Sequence, residues 1–236
     1  MMENALLWSL LAGICTSLGA VILFLRKHWS NSNLGFFLGL ASGVMVAVVV
    51  FDMLPSALLN GGVVKTMIGI ILGLLFMVLA NSLLFGGINS SQTLVGLGYM
   101  IMLGIALHDL PEGMAIAFGE EMKVKTGMVI ALGIGIHNIP EGMAIAAPLL
   151  MSGMKKQTIL VQTLLLALIT PIGTIVGRYL INLLPELLSL MLGLASGVMI
   201  YLVLYQLWPQ AGYKDKNSRR YGFILGLLVI LIATYM

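Results

Sequence analysis

The chain has 236 residues, of which 60% are hydrophobic and only 9% charged. Twelve Lys and Arg with nine Asp and Glu are too few to coat a soluble domain, which carries about 25% charged residues. They exclude a disordered chain equally, and the net charge of +3 is dispersed among loops, so it is no nucleic-acid footprint.

A spanning helix needs roughly 20 apolar residues. Charges and turn residues divide this chain into eight predicted spans, at about 5–25, 34–54, 64–85, 93–118, 127–150, 157–180, 184–208 and 221–236. The expected fold is therefore all-α and polytopic, one transmembrane domain over 1–236 with short loops and membrane lipid as its surroundings. No basic stretch precedes the first span; Arg26 and Lys27 follow it, against a cleaved signal peptide. Placing both termini outside puts Arg26, Lys27, Lys155, Lys156, Lys214, Lys216, Arg219 and Arg220 on the inner side. Lys65, Lys123, Lys125 and Arg178 then fall outside, as the positive-inside rule prefers. The single cysteine, Cys15, excludes an internal disulfide and a thiolate cluster.

Two repeats stand out. LASGVMVAVVVFDMLP at 40–55 returns as LASGVMIYLVLYQLWP at 194–209, an offset of 154. The two blocks fall five spans apart, so their helices cross in opposite directions, the mark of an inverted repeat. HDLPEGMAI at 108–116 returns as HNIPEGMAI at 137–145, in consecutive spans.

The second repeat carries the chemistry. A carboxylate deep in a span costs on the order of 2.5–3.5 kcal/mol, so Asp109, Glu112 and Glu141 together represent roughly 8–10 kcal/mol if nothing compensates them. A bound cation or shared protons would offset that. His108 and Glu112 are four apart and share a helix face, as do His137 and Glu141. Imidazole with carboxylate suits borderline divalent ions such as Zn²⁺, Fe²⁺ and Mn²⁺. Asp109 and Asn138, about 100° further round their helices, offer a second, adjacent ligand cluster. Pro111 and Pro140 each remove an intrahelical bond and predict kinks, tolerated where a helix lines a cavity. His28, in a basic loop, is expected to be interfacial. Asp52, near the outer end of span 2, is matched by Gln206 near the inner end of span 7; it is either a metal relay on the outer approach or a water-exposed interfacial carboxylate.

These motifs, HDLPEGMAIAFG (108–119) and HNIPEGMAIAAPL (137–149) with ASGVMV (41–46) and ASGVMI (195–200), resemble the ZIP (Zrt-, Irt-like protein) family of divalent metal transporters, and its compact bacterial GufA-like branch most. The resemblance implies a 3+2+3 inverted bundle: repeat 1 over about 5–85, a metal-binding helix pair over about 93–150, and repeat 2 over about 157–236. It implies a binuclear site, with His108, Glu112, His137 and Glu141 in one half and Asp109 with Asn138 in the other, Glu112 and Glu141 bridging. It also implies a possible homodimer, a bacterial inner membrane, and motion of spans 1, 4, 5 and 6 against the rest. No organic cofactor is expected; zinc or another divalent ion is substrate.

Three departures from the family pattern bear on the second half-site. Asp109 stands where Asn is usual, Thr170-Pro171 where Glu-Pro is usual, and Gln206 where an acid or His is common. The first two leave the formal charge of the site unchanged. The span 3–4 connection, GGINSSQ within it, is short and lacks a His-rich stretch. The predicted function is divalent-metal uptake into the cytoplasm. An intramembrane zinc hydrolase is the alternative, disfavoured because no HExxH pattern is present. A proton-coupled organic-solute transporter leaves the paired histidines unexplained.

Overall fold

The structure, a computed structural model, describes residues 2–26, 28–85, 93–181 and 187–235. Lys27, the GGINSSQ stretch at 86–92 and the first residues of the seventh predicted span lie outside the described residues. The chain is helical throughout the described residues: α1 (Met2–Phe24), α2 (Asn31–Val48), α3 (Leu54–Phe85), α4 (Leu94–Met122), α5 (Val124–Met151), α6 (Lys156–Leu166), α7 (Ile169–Leu180), α8 (Leu187–Tyr201), α9 (Trp208–Lys214) and α10 (Lys216–Tyr235). It is a polytopic membrane protein, turned inside out relative to a soluble domain. Leu72, Leu75, Phe76 and Leu79 on α3 and Ile224, Leu228 and Ile232 on α10 are exposed, while His108, Asp109 and Glu141 are buried.

Six segments among the described residues, against the eight expected, are long and apolar enough to cross a bilayer. One of them, Asn31–Leu84, is 54 residues long. At 1.5 Å per residue it would measure about 80 Å straight, against roughly 30 Å of hydrocarbon. It is not straight: Gly62 breaks it with φ +74°, ψ 176°, a conformation that a side chain resists. α10, with Lys216, Arg219 and Arg220 in its first turns, falls outside the six. It nevertheless begins five residues before the predicted start at 221 and packs along α2.

Two other expectations change in detail. The sixth predicted span is interrupted at Ala167 and Leu168, between α6 and α7, because Pro171 has no N–H to return to Ala167. α1 uses that opening, since Gly13 lies against the Ala167 carbonyl. Pro111 and Pro140, by contrast, are accommodated inside continuous helices.

The helices sort into two groups. α1, α4, α5, α6 and α7 pack together, and α2, α3, α8, α9 and α10 pack together, with α4 against α8 and α2 against α5 as the main joins. Within the groups, glycine sets the closest approaches. A side chain at Gly142 would strike the backbone of Thr16, and one at Gly113 that of Thr170. One at Gly39 would strike Arg219, and one at Gly193 would strike Thr66. Such contacts come in pairs. Thr16 and Thr170 are 154 residues apart, as are Gly39 and Gly193. The π-helical turns Val49–Met53 and Leu202–Leu207, which carry Asp52 and Gln206, keep nearly the same offset.

Candidate metal centre

The centre forms where α4 and α5 lie side by side. Each carries its motif in mid-helix, so the polar groups are held by rigid backbone and not by loops. The contacts run across the helix pair, not along one helix. His108 Nε2 lies 3.1 Å from Glu141 Oε2, and His137 Nε2 lies 3.2 Å from Glu112 Oε2. The sequence repeat thus becomes two crossed His–Glu pairs of nearly equal length.

Asp109 joins one of these pairs. Its Oδ1 is 3.7 Å from His108 Nε2, and ligand atoms of His108, Asp109 and Glu141 all fall within 4.8 Å of one another. This grouping differs from the one the family pattern implied, where Asp109 sat with Asn138. The Asn138 amide instead donates to the Ala12 carbonyl of α1 at 3.0 Å, tying the centre to that helix.

All six residues are buried, at 0–3% exposure. Every one except His137 keeps a buried donor or acceptor atom with no hydrogen-bond partner: His108 Nδ1, both Asp109 carboxylate oxygens, Glu112 Oε1, Asn138 Oδ1 and Glu141 Oε1. An orphaned buried polar atom costs about 1–3 kcal/mol, and more when charged. A protein interior rarely tolerates six of them at one place. A divalent cation satisfies such a set at once, because carboxylate, amide oxygen and imidazole are its ordinary donors.

Around the centre, Thr170 is fully buried with its hydroxyl unpartnered, and its carbonyl packs on Gly113, next to Glu112. The Thr174 hydroxyl donates to the Gly113 carbonyl at 2.9 Å. A fourth buried acid, Glu120, was not singled out by the sequence. Its carboxylate accepts from Arg178 Nη1 at 3.2 Å, so it is already compensated within the protein. Arg178 had counted as an outer loop cation, and only its helical register against α4 reveals the pair.

A cavity of about 100 Å³ reaches Glu112 and His137 and is also lined by Asp52, Ser56, Ile130 and Ile134. It shares Ser56, Ala115, Ile130 and Leu192 with a wider cavity of about 410 Å³, bordered by Asn60, Glu121 and Met122 at the α4–α5 turn. His28 is exposed and remote, and its carbonyl accepts from Arg26.

Residues 88–233 match the family described as ZIP zinc transporter. The zinc transporter ZupT of Chlorobium limicola is 33% identical over 258 aligned positions, covering 98% of this chain and 97% of the relative. The ZupT of Streptococcus mutans is 28% identical, covering 98% and 96%. Zinc transporter ZTP29 of Arabidopsis thaliana is 32% identical, covering 86% and 83%. With a membrane-embedded pair of His–Glu motifs, a family match over more than half its length and relatives aligned from end to end, the chain belongs to the ZIP zinc transporter family.

Proposed function

We infer that the chain carries Zn²⁺, or a similar divalent cation, across the membrane through the centre between α4 and α5. The observation that supports this most is the set of six unpartnered buried donor atoms on His108, Asp109, Glu112, Asn138 and Glu141. His137, paired with Glu112, completes the ligand set. The direction is inward, with both termini outside and the membrane a bacterial inner membrane. That orientation keeps most cations cytoplasmic and turns the cavity at Glu121 and Met122 to the outer side. Gly62 and α10 together supply the two further crossings of an eight-span, 3+2+3 arrangement.

Ligation without thiolate leaves the ion releasable. The crossed pairs provide two adjacent stations: Glu112 and His137 beside the cavity, then His108, Asp109 and Glu141 further in. An ion passes between them by exchanging one carboxylate at a time, so it is never bare in the hydrocarbon. Membership of a transporter family leaves the hydrolase alternative without support.

The test is uptake of Zn²⁺ by the purified full chain in liposomes. Glu112→Ala and Glu141→Ala are each expected to lower uptake by about 100-fold or more, since even groups behind the ligands cost 10–100-fold. Uptake by both variants at the unmodified rate refutes the assignment.

A further inference from the structure

We propose that Asp52 and Ser56 form, with Glu112, a third cation position on the outer approach, where the incoming divalent ion is captured before it reaches the buried centre. The proposal rests on the transport function inferred above and adds two residues outside the paired motifs, Asp52 and Ser56, to the outer edge of the centre.

Asp52 lies in the π-helical turn Val49–Met53. That turn inserts an extra residue into the helical register and so re-aims its side chains. The Ser56 hydroxyl hydrogen-bonds the Asp52 side chain, and Glu112 and His137 are its electrostatic neighbours. All four line the same 100 Å³ cavity. Glu112 brings a buried acceptor to the same cavity: it is 3% exposed, and its Oε1 has no hydrogen-bond partner. Asp52 itself is exposed and lines this cavity. At roughly 30 Å³ per water, the cavity has room for about three water-sized groups, enough for a partly hydrated ion. Two carboxylates and a hydroxyl around such a space suit an ion that keeps part of its hydration shell.

The chain's internal repeat provides the contrast. The residue 154 positions after Asp52 is Gln206, which is neutral and 2% exposed. The outer approach thus has an acidic side chain on its cavity, where the counterpart position has a buried neutral amide. A charge of this kind in a low-dielectric cleft raises the local cation concentration by about tenfold or more.

The experiment is Zn²⁺ uptake by the full chain in liposomes, together with equilibrium dialysis of ⁶⁵Zn²⁺ on the same detergent-purified proteins. Asp52→Asn is expected to raise KM about tenfold and to bind one Zn²⁺ fewer at saturation, with the maximal rate lowered less than about twofold. Added NaCl should raise the wild-type KM more than that of the variant, because screening acts on the charge that was removed. Asp52→Glu should restore KM and stoichiometry. Asp52→Ser is the second neutral variant, and the same KM rise is required of it if D52N does not elute as the wild type does. An unchanged KM and stoichiometry overturn the proposal, as does a fall in maximal rate with KM constant. Wild-type protein that neither binds nor moves Zn²⁺ overturns the transport function itself, so the two failures are distinct.

Discussion

Asp109 and Thr170 are the residues that depart from the pattern the family resemblance implies, and the structure makes that departure testable. Asp109 carries two buried, unpartnered oxygens within reach of His108 and Glu141. Thr170 is buried, and its backbone touches Gly113, beside Glu112. By formal count, a carboxylate at 109 offsets the one that the family pattern places at 170. Asp109→Asn should therefore weaken Zn²⁺ binding by about tenfold or more, and Asp109→Asn with Thr170→Glu should recover part of it. Titration of bound Zn²⁺ on the purified variants decides this; equal affinity of Asp109→Asn and wild type refutes the exchange. The identity of these residues was legible because buried acids and repeated histidines are costly enough to need a purpose. Their pairing was not. Spacing of four places His108 and Glu112 on one face of α4, but it says nothing about the register of α4 against α5. That register sends each histidine to the other helix's glutamate.

At the scale of elements, backbone contact between glycine and carbonyl is the main fastening. In a bilayer there is little hydrophobic drive between helices, so close packing has to hold them. Gly142 on α5 lies against Thr16 of α1, and a side chain there has only backbone to push. Gly142→Val should therefore destabilise the fold by about 1–3 kcal/mol, the usual cost of overpacking, and lower uptake by misplacing Glu141, its neighbour. Gly133, whose added Cβ would meet open space, is the control: Gly133→Ala should leave the unfolding midpoint unchanged or raised. A second fastening lies outside the membrane, where Asp215 caps α10. Its carboxylate accepts the backbone N–H groups of Asn217 and Ser218 at 2.9 and 3.1 Å. The bond from Ser218 above all holds its carboxyl below the ordinary carboxylate range; desolvation opposes it, and the bond from Asn217 adds to the lowering. A depressed folded value means that the contribution is complete above the unfolded value and fades as pH falls through the folded one. Asp215→Ala should thus speed amide exchange in the first turn of α10 at neutral pH, and the difference from wild type should vanish in strong acid. That the chain is helical and crosses the membrane several times was legible from its apolar runs. Their joins were not, because composition cannot show that Gly62 adopts a positive φ or that α6 stops short of Pro171.

For the whole molecule, the block at 40–55 returns at 194–209, yet the two approaches to the centre differ. On one side, cavities of about 410 and 100 Å³ lead from Asn60 and Glu121 to Glu112 and His137. On the other, Met100, Ile101 and Ile105 of α4 pack with Leu202, Leu207 and Leu149 in one buried cluster. Asp52 is exposed and its counterpart Gln206 is buried. With the orientation inferred above, this is the arrangement expected of a transporter whose centre is reached from the outer side. The sequence showed the repeated block but could not reveal this inequality, since both copies read LASGVM and only packing distinguishes them. Cysteine labelling tests it. In a chain with Cys15→Ala, a cysteine at Asn60 should react with a membrane-impermeant, charged thiol reagent added to intact cells. A cysteine at Gln206 should react slowly from either side in the absence of Zn²⁺. Zn²⁺ at saturating concentration should slow the reaction at position 60 and speed it at 206, because an ion that favours the closed outer side must shift the population by its differential affinity for the two states. Fast labelling at 206 without Zn²⁺, together with none at 60, would show that the resting protein opens the other way.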